Sequence, residues 1–203
     1  MPWRGDQPLL LASGSRTRRS LLESAGIPVE AVASEVDERA HEAGLDSAGR
    51  EPGALARSLA WMKTWSVAQR LPDRVVVGAD QVLDLDGEAV PKPEDAEGAR
   101  RLLGRLAGRT HRLRSAFCVA RAGSIVANGI DDATLTMRPL GDGAIARYVS
   151  LAGPAVLRSA GGYEIEGLGI HLFADVAGDY TTILGLPVRP LLAALRGLDL
   201  LEI

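Results

Sequence analysis

Cysteine occurs once in this chain of 203 residues, at Cys118. A lone thiol excludes an internal disulfide and any all-cysteine zinc site, and it agrees with a reducing compartment. Flanked by Phe117 and Val119, it reads as a core residue. Histidine is nearly as scarce: His41, His111 and His171 are too scattered to suggest a zinc site. Aromatic residues make up only 4% of the chain, so the core must come from Leu, Val, Ile and Ala. No stretch approaches the roughly 20 apolar residues of a membrane-spanning helix, and the opening MPWRGDQPL has no apolar run of signal-peptide length. The expectation is a cytoplasmic protein without a membrane partner. A basic excess is missing as well. The formal charge of -3 and a pI near 5.7 argue against a general nucleic-acid surface. There is no P-loop GxxxxGKS/T, no HExxH, no GxSxG and no GxGxxG. No repeat, low-complexity tract or linker divides the sequence, and one domain over residues 1–203 is expected.

What is present begins with Leu9 to Leu22, LLLASGSRTRRSLL. An apolar run of strand length, Leu9 to Ala12, passes through the small turn Ser13-Gly14-Ser15 into Arg16, Arg18 and Arg19. That is the pattern of buried strand, tight turn and helix. The first turn of a helix offers free N–H groups, so with hydroxyls and guanidinium groups it can hold an anion. An ordinary turn with solvent-facing arginines fits the same residues. Local positive charge on an acidic chain points to a small anionic ligand.

Farther on, a helix over 18–25 stops at Gly26 and an extended segment follows. Glu35, Asp37 and Glu38 then cluster in a segment that suits either a solvated surface or a ligand role. Residues 43–52 read as a loop. A helix over 53–70 carries Lys63, and a lone lysine on a helix ordinarily snorkels at the surface. The β-branched run Val75-Val76-Val77 ends in Gly78-Ala79-Asp80, a buried strand with Asp80 at its carboxyl end, where open α/β sheets place their chemistry. A hairpin around Asp86-Gly87 leads to Pro91-Lys92-Pro93, which fixes the direction of one lysine. A helix over 94–106, antiparallel strands over 113–122 and 124–137, and a helix over 143–150 come next. The stretch from Ser159 to Gly169 has glycines at 161, 162, 167 and 169 and reads as a loop that closely approaches something. A strand over 170–176 and a last helix over 188–198 complete the chain.

Collected, the candidates are Ser13, Ser15, Arg18 and Arg19; the acids Glu35, Asp37, Glu38, Asp80 and Glu166; and Lys63 and Lys92. Hydroxyls and cations bind phosphate oxygens, while carboxylates hold a hard divalent cation. Attack of water on a nucleotide phosphate needs those parts.

Six ordered blocks carry a resemblance over nearly the whole chain: LASGSRTRRSLL from Leu11, VVVGADQV from Val75, KP at Lys92, GRTH from Gly108, AGGYEIEGLG from Ala160 and GDYTTILGLP from Gly178. The sequence resembles the Maf-type nucleoside triphosphate pyrophosphatases. The resemblance implies an elongated α/β single domain of Maf/ITPase-like type, with a mixed central β-sheet and two lobes around a cleft, often homodimeric. It also implies hydrolysis of a nucleoside triphosphate to monophosphate and pyrophosphate with Mg2+ or Mn2+. The implied catalytic residues are Asp80, Lys63 and Lys92, the phosphate-binding residues Ser13, Ser15 and Arg18, and the metal ligands Glu38 and Asp80. Arg16 and Arg19 are not expected to touch substrate. Selectivity in the family is associated with the positions here held by Thr17, Gln81 and Glu166. Gln81 and Glu166 resemble the subgroup acting on 7-methyl-GTP, yet Thr17 stands where that subgroup carries Trp. Glu166 can accept hydrogen bonds from a guanine edge and disfavours the carbonyl edge of uracil. The family's association with septum formation supplies a rival of another class, a nucleotide-binding regulator of cell division.

Overall fold

The computed structural model describes residues 2–203. Its centre is one mixed sheet. Strand β1 (Leu9–Leu11), whose three leucines are fully buried, pairs in parallel with β2 (Val29–Ala31) on one side and β3 (Val76–Leu85) on the other. Beyond β3 the neighbours are antiparallel: β4 (Glu88–Val90), β5 (Thr110–Arg121), β6 (Ser124–Met137) and β7 (Phe173–Ala177), giving the order β2-β1-β3-β5-β6-β7 with β4 on β3. The central strands β1 and β3, and β5 over most of its length, are buried on both faces because helices cover both, which accounts for their continuous apolar runs, whereas β2, β7 and the first half of β6 are largely exposed.

One face is covered by α3 (Pro52–Arg70), whose Leu55, Ala56, Leu59 and Ala60 pack on Val82, Ala116 and Cys118. Pro52 at its first turn and the Glu51 carboxylate, which accepts from Ala54 N at 2.7 Å, fix its start. Gly78 allows the closest approach of this helix to β3. A Cβ there would lie 2.4 Å from Thr64 Oγ1 and 2.8 Å from the Ala60 carbonyl. The other face is covered by α1 (Arg16–Ser24) and α7 (Val188–Gly197) around Leu11 and Val77, and by α4 (Ala96–Leu106) and α5 (Asp142–Ala152) around Leu83 and Leu135. In α4 the buried Ala99, Leu102, Leu103 and Leu106 repeat at helical spacing.

Several boundaries differ from the sequence expectations. A helix, α2 (Glu38–Gly44), precedes the loop expected over 43–52 and takes in its first two residues; no residue in the helix is buried, so no apolar period marks it. Asp37 caps it by accepting from Ala40 N at 2.9 Å. Helix α4 starts at Ala96 because Asp95 accepts from Gly98 N at 2.6 Å. Two turns of 3-10 helix, Gly153–Leu157 and Leu168–Leu172, frame the glycine-rich loop, and the expected strand over 170–176 begins only at Phe173.

The most consequential correction concerns Asp80. It is not at a strand end but in the middle of β3, which runs on to Leu85. It is β1 that stops. β1 pairs with β3 only at Val76 and Val77, and β4 pairs only from Leu83 onward, so Gly78 to Val82 have no strand beside them on that edge. A cleft of about 850 Å³ opens there. No helix is long and apolar enough to cross a membrane among the described residues.

Candidate functional site

The turn after β1 forms the first wall. Ser15 caps α1 by accepting from Arg18 N at 3.3 Å, and Ser13 Oγ accepts from Ser15 N at 3.3 Å and from Arg18 Nη1 at 3.2 Å. Both hydroxyl oxygens are therefore used as acceptors, which leaves their O–H groups free to donate to an anion. Arg18 carries more of the architecture than its sequence position suggested. Its Nη1 also donates to the Ala79 carbonyl at 2.8 Å and its Nε to the Gly185 carbonyl at 2.8 Å, beside α6 (Tyr180–Ile183). Only Nη2 lacks a partner among the described residues. Burial, the largest influence, lowers the Arg18 pKa, and the negative charges of Asp80 and Glu38 act against it.

The second wall is ionic. Lys63, expected at the surface as a lone helix lysine, is buried at the cleft, where Nζ lies 2.5 Å from Asp80 Oδ1 and 2.7 Å from Glu38 Oε1. Asp80 is itself buried, while Glu38 is exposed at the first turn of α2. Lys92 lines the same cleft from the segment before α4 and has no ion-pair partner among the described residues. The six residues Ser13, Ser15, Arg18, Lys63, Asp80 and Lys92 thus meet at one cleft although they come from four segments of the chain. Glu35, by contrast, pairs with Arg70 at 2.8 Å on the surface, Asp37 is a helix cap, and Arg19 pairs with Glu23 at 2.7 Å.

The third wall is the glycine-rich loop. Tyr163 anchors it: its buried hydroxyl lies 2.6 Å from His111 Nε2 on β5, and its ring meets Phe173 edge-on at 4.8 Å between centroids. Gly161 has to lack a Cβ because one would sit 2.1 Å from the Tyr163 ring. The loop then returns along the cleft with Arg158, Glu164 and Glu166 on its wall, and Arg158 Nε donates to Glu164 Oε1 at 2.9 Å. Burial pushes the pKa of His111 down to about 4 and raises that of Tyr163, so the pair is neutral.

This arrangement joins the blocks that the sequence kept apart. The profile of the family described as Maf-like protein matches residues 8–198. The chain belongs to the Maf family. Among relatives, it is 47% identical to a Mesorhizobium japonicum protein named 7-methyl-GTP pyrophosphatase, over 97% of this chain and 98% of the relative. It is 46% identical to a Rhodopseudomonas palustris protein named nucleoside triphosphate pyrophosphatase, over 98% of both chains. A Nitrobacter winogradskyi protein of that second name is 45% identical, over 99% of this chain and 98% of the relative.

In this Maf chain the three positions that the resemblance linked to selectivity, Thr17, Gln81 and Glu166, also reach the cleft, though not equivalently. Gln81 Nε2 lies 3.0 Å from each of three acceptors, Ser115 Oγ and the carbonyls of Thr182 and Ile183. Carbonyls only accept, so the amide nitrogen faces inward and Oε1 is the end left for a ligand. Thr17 and Glu166 line the cleft and make no side-chain hydrogen bond among the described residues. Sequence reasoning missed Arg158, the Gly185 carbonyl and the His111–Tyr163 anchor. Their partners lie 6 to 167 positions away in the chain, and the distant ones leave no local pattern. Arg16, set aside on sequence grounds, lines the cleft as well.

Proposed function

We propose that this chain hydrolyses a nucleoside triphosphate between the α and β phosphates, releasing a monophosphate and pyrophosphate. The observation that carries the reading is Lys63, buried between the Asp80 and Glu38 carboxylates in a cleft that Lys92 also lines. A polyphosphate requires cations without partners and O–H or N–H donors. Lys92, the Ser13 and Ser15 hydroxyls and Arg18 Nη2 supply them. Cleavage further requires a carboxylate that can orient a water molecule. Asp80 fits, since Lys63 holds one of its oxygens and the other has no partner among the described residues.

The donor set also fits a divalent cation, Mg2+ or Mn2+. Glu38 and Asp80 each meet Lys63 Nζ through one oxygen, which leaves the second oxygen of each for a cation, and Mg2+ takes one or two carboxylates together with substrate phosphate oxygens. Bound there, it would neutralise phosphate charge. Glu38 and Asp80 would hold it, and Lys63 would keep both carboxylates aligned. This reading takes the protein to be cytoplasmic and homodimeric, with no nucleic-acid partner.

The testing experiment is pyrophosphate release from GTP, UTP, dTTP, CTP and ITP, with and without Mg2+, with the products separated. Monophosphate plus pyrophosphate is expected; diphosphate plus phosphate overturns the reading. A guanine nucleotide is the favoured narrower substrate, because the Glu166 carboxylate suits a base edge rich in N–H donors.

A further inference from the structure

A second cavity of about 370 Å³ opens beside the cleft, over the outer side of α1. It shares Arg16, Thr17, Glu166 and Leu184 with the cleft but none of Lys63, Asp80 or Lys92. The junction of the two cavities is therefore the end of the site away from Lys63, Asp80 and Lys92. With the triphosphate at the ionic wall, the base lies at this junction.

Two opposite charges face it. Arg16 is the first residue of α1 and Glu166 sits on the glycine-rich loop; each makes no ion pair or side-chain hydrogen bond among the described residues, and they do not pair with each other. A guanidinium and a carboxylate that share a cavity without closing on one another suit a ring with acceptors along one edge and donors along the next. No aromatic side chain competes for the role, because the one aromatic on the cleft wall, Tyr163, is committed to His111.

We propose that Arg16 adds to the selectivity position Glu166 a second base contact, one that makes this chain select a guanine with an unmodified N7, an inference that rests on the hydrolase reading above. The Glu166 carboxylate accepts from N1–H and the exocyclic N2–H of guanine, and the Arg16 fork donates to O6 and N7, the pairing that arginine makes with guanine edges generally. Each rival loses something specific. Hypoxanthine lacks the N2 donor. Uracil and thymine set a carbonyl on each side of their single N–H, against the carboxylate. Adenine turns its N6 donors toward the guanidinium. Methylation at N7 removes an acceptor from Arg16 and adds positive charge beside it, so Arg16 turns this chain away from 7-methylguanine.

The test compares kcat/KM for pyrophosphate release from GTP, ITP, UTP and 7-methyl-GTP on the unmodified protein, Arg16→Ala and Glu166→Gln. The unmodified protein is expected to favour GTP over 7-methyl-GTP. Arg16→Ala should lower kcat/KM for GTP and ITP by about tenfold or more, the size of one bidentate base contact, and change 7-methyl-GTP by less than about twofold. Glu166→Gln should lower GTP more than UTP. Because Arg16 is exposed and without a partner, its alanine variant should keep the melting temperature. A GTP to 7-methyl-GTP ratio that Arg16→Ala leaves unchanged, or an unmodified protein that favours 7-methyl-GTP, overturns this inference alone. Failure of the unmodified protein to hydrolyse any nucleotide overturns the hydrolase reading and the inference with it.

Discussion

Lys63 Nζ stands 2.5 Å from Asp80 Oδ1, across the interface between α3 and β3. The contact exists because Gly78, two residues before Asp80 and on the same face of the strand, lets the helix approach to where Thr64 Oγ1 is bonded to the Ala60 and Cys118 carbonyls. Packing distance and ionic geometry are thus set by the same pair of elements.

Asp80→Asn keeps the shape of the side chain but removes the charge that faces Lys63. Pyrophosphate release should fall by about 10²- to 10⁴-fold, the contribution of a positioned acid or base, while circular dichroism stays unchanged. Retained turnover would remove Asp80 from the chemistry.

Lys63→Met leaves the buried Asp80 without its ammonium. Breaking a buried pair costs about 3 kcal/mol or more, and the loss should be smaller in the double variant Lys63→Met with Asp80→Asn, which removes both charges. Urea melts of the four proteins measure this coupling; additive losses would contradict it.

Gly78→Ala forces a methyl group against the α3 backbone. Overpacking of this kind costs about 1 to 3 kcal/mol, and here it should also lower kcat because α3 carries Lys63. Activity at the unmodified level in a folded Gly78→Ala protein would show that the helix position is not coupled to the site.

His111 gives the fold a dependence on pH. Burial holds its pKa at about 4 against a usual value near 6.5, so the unfolded chain takes up this proton first as the pH falls. The stability linked to neutral His111 is fully present above pH 6.5 and is lost progressively down to about pH 4, amounting to about 3 kcal/mol in total. His111→Gln should flatten the melting temperature between pH 7.5 and pH 5, and an equally steep profile in that variant would assign the dependence elsewhere.

Chelation tests the proposed cation. Pyrophosphate release should be lost in excess EDTA and return on addition of Mg2+, whereas the melting temperature without nucleotide should not change, because in the proposed site only Glu38 and Asp80 would contribute ligands from the protein. A large drop in melting temperature on chelation would point to a structural metal instead.

What the sequence by itself determined was whatever depends on near neighbours in the chain. The leucines of β1 and the near-helical spacing of Leu55, Leu59, Met62 and Val67 marked a strand and a helix, because burial on a sheet or a helix face leaves a short-range pattern. The Ser13-Gly14-Ser15 turn marked the passage from strand to helix, and the six blocks named residues that line one cleft. The tertiary structure decided the relations between distant segments. Nothing in the spacing of residues 63 and 80 says that they touch; that follows from α3 lying on β3. Lys63 looked like a surface lysine because a lysine's burial depends on its partners, and both of them come from other elements. Asp80 looked like the end of a strand because Gly78 and Ala79 are small, whereas the opening at that point arises from β1 stopping early. Arg16 and Glu166, 150 positions apart in the chain, line the same two cavities only because the loop pinned by Tyr163 returns beside α1.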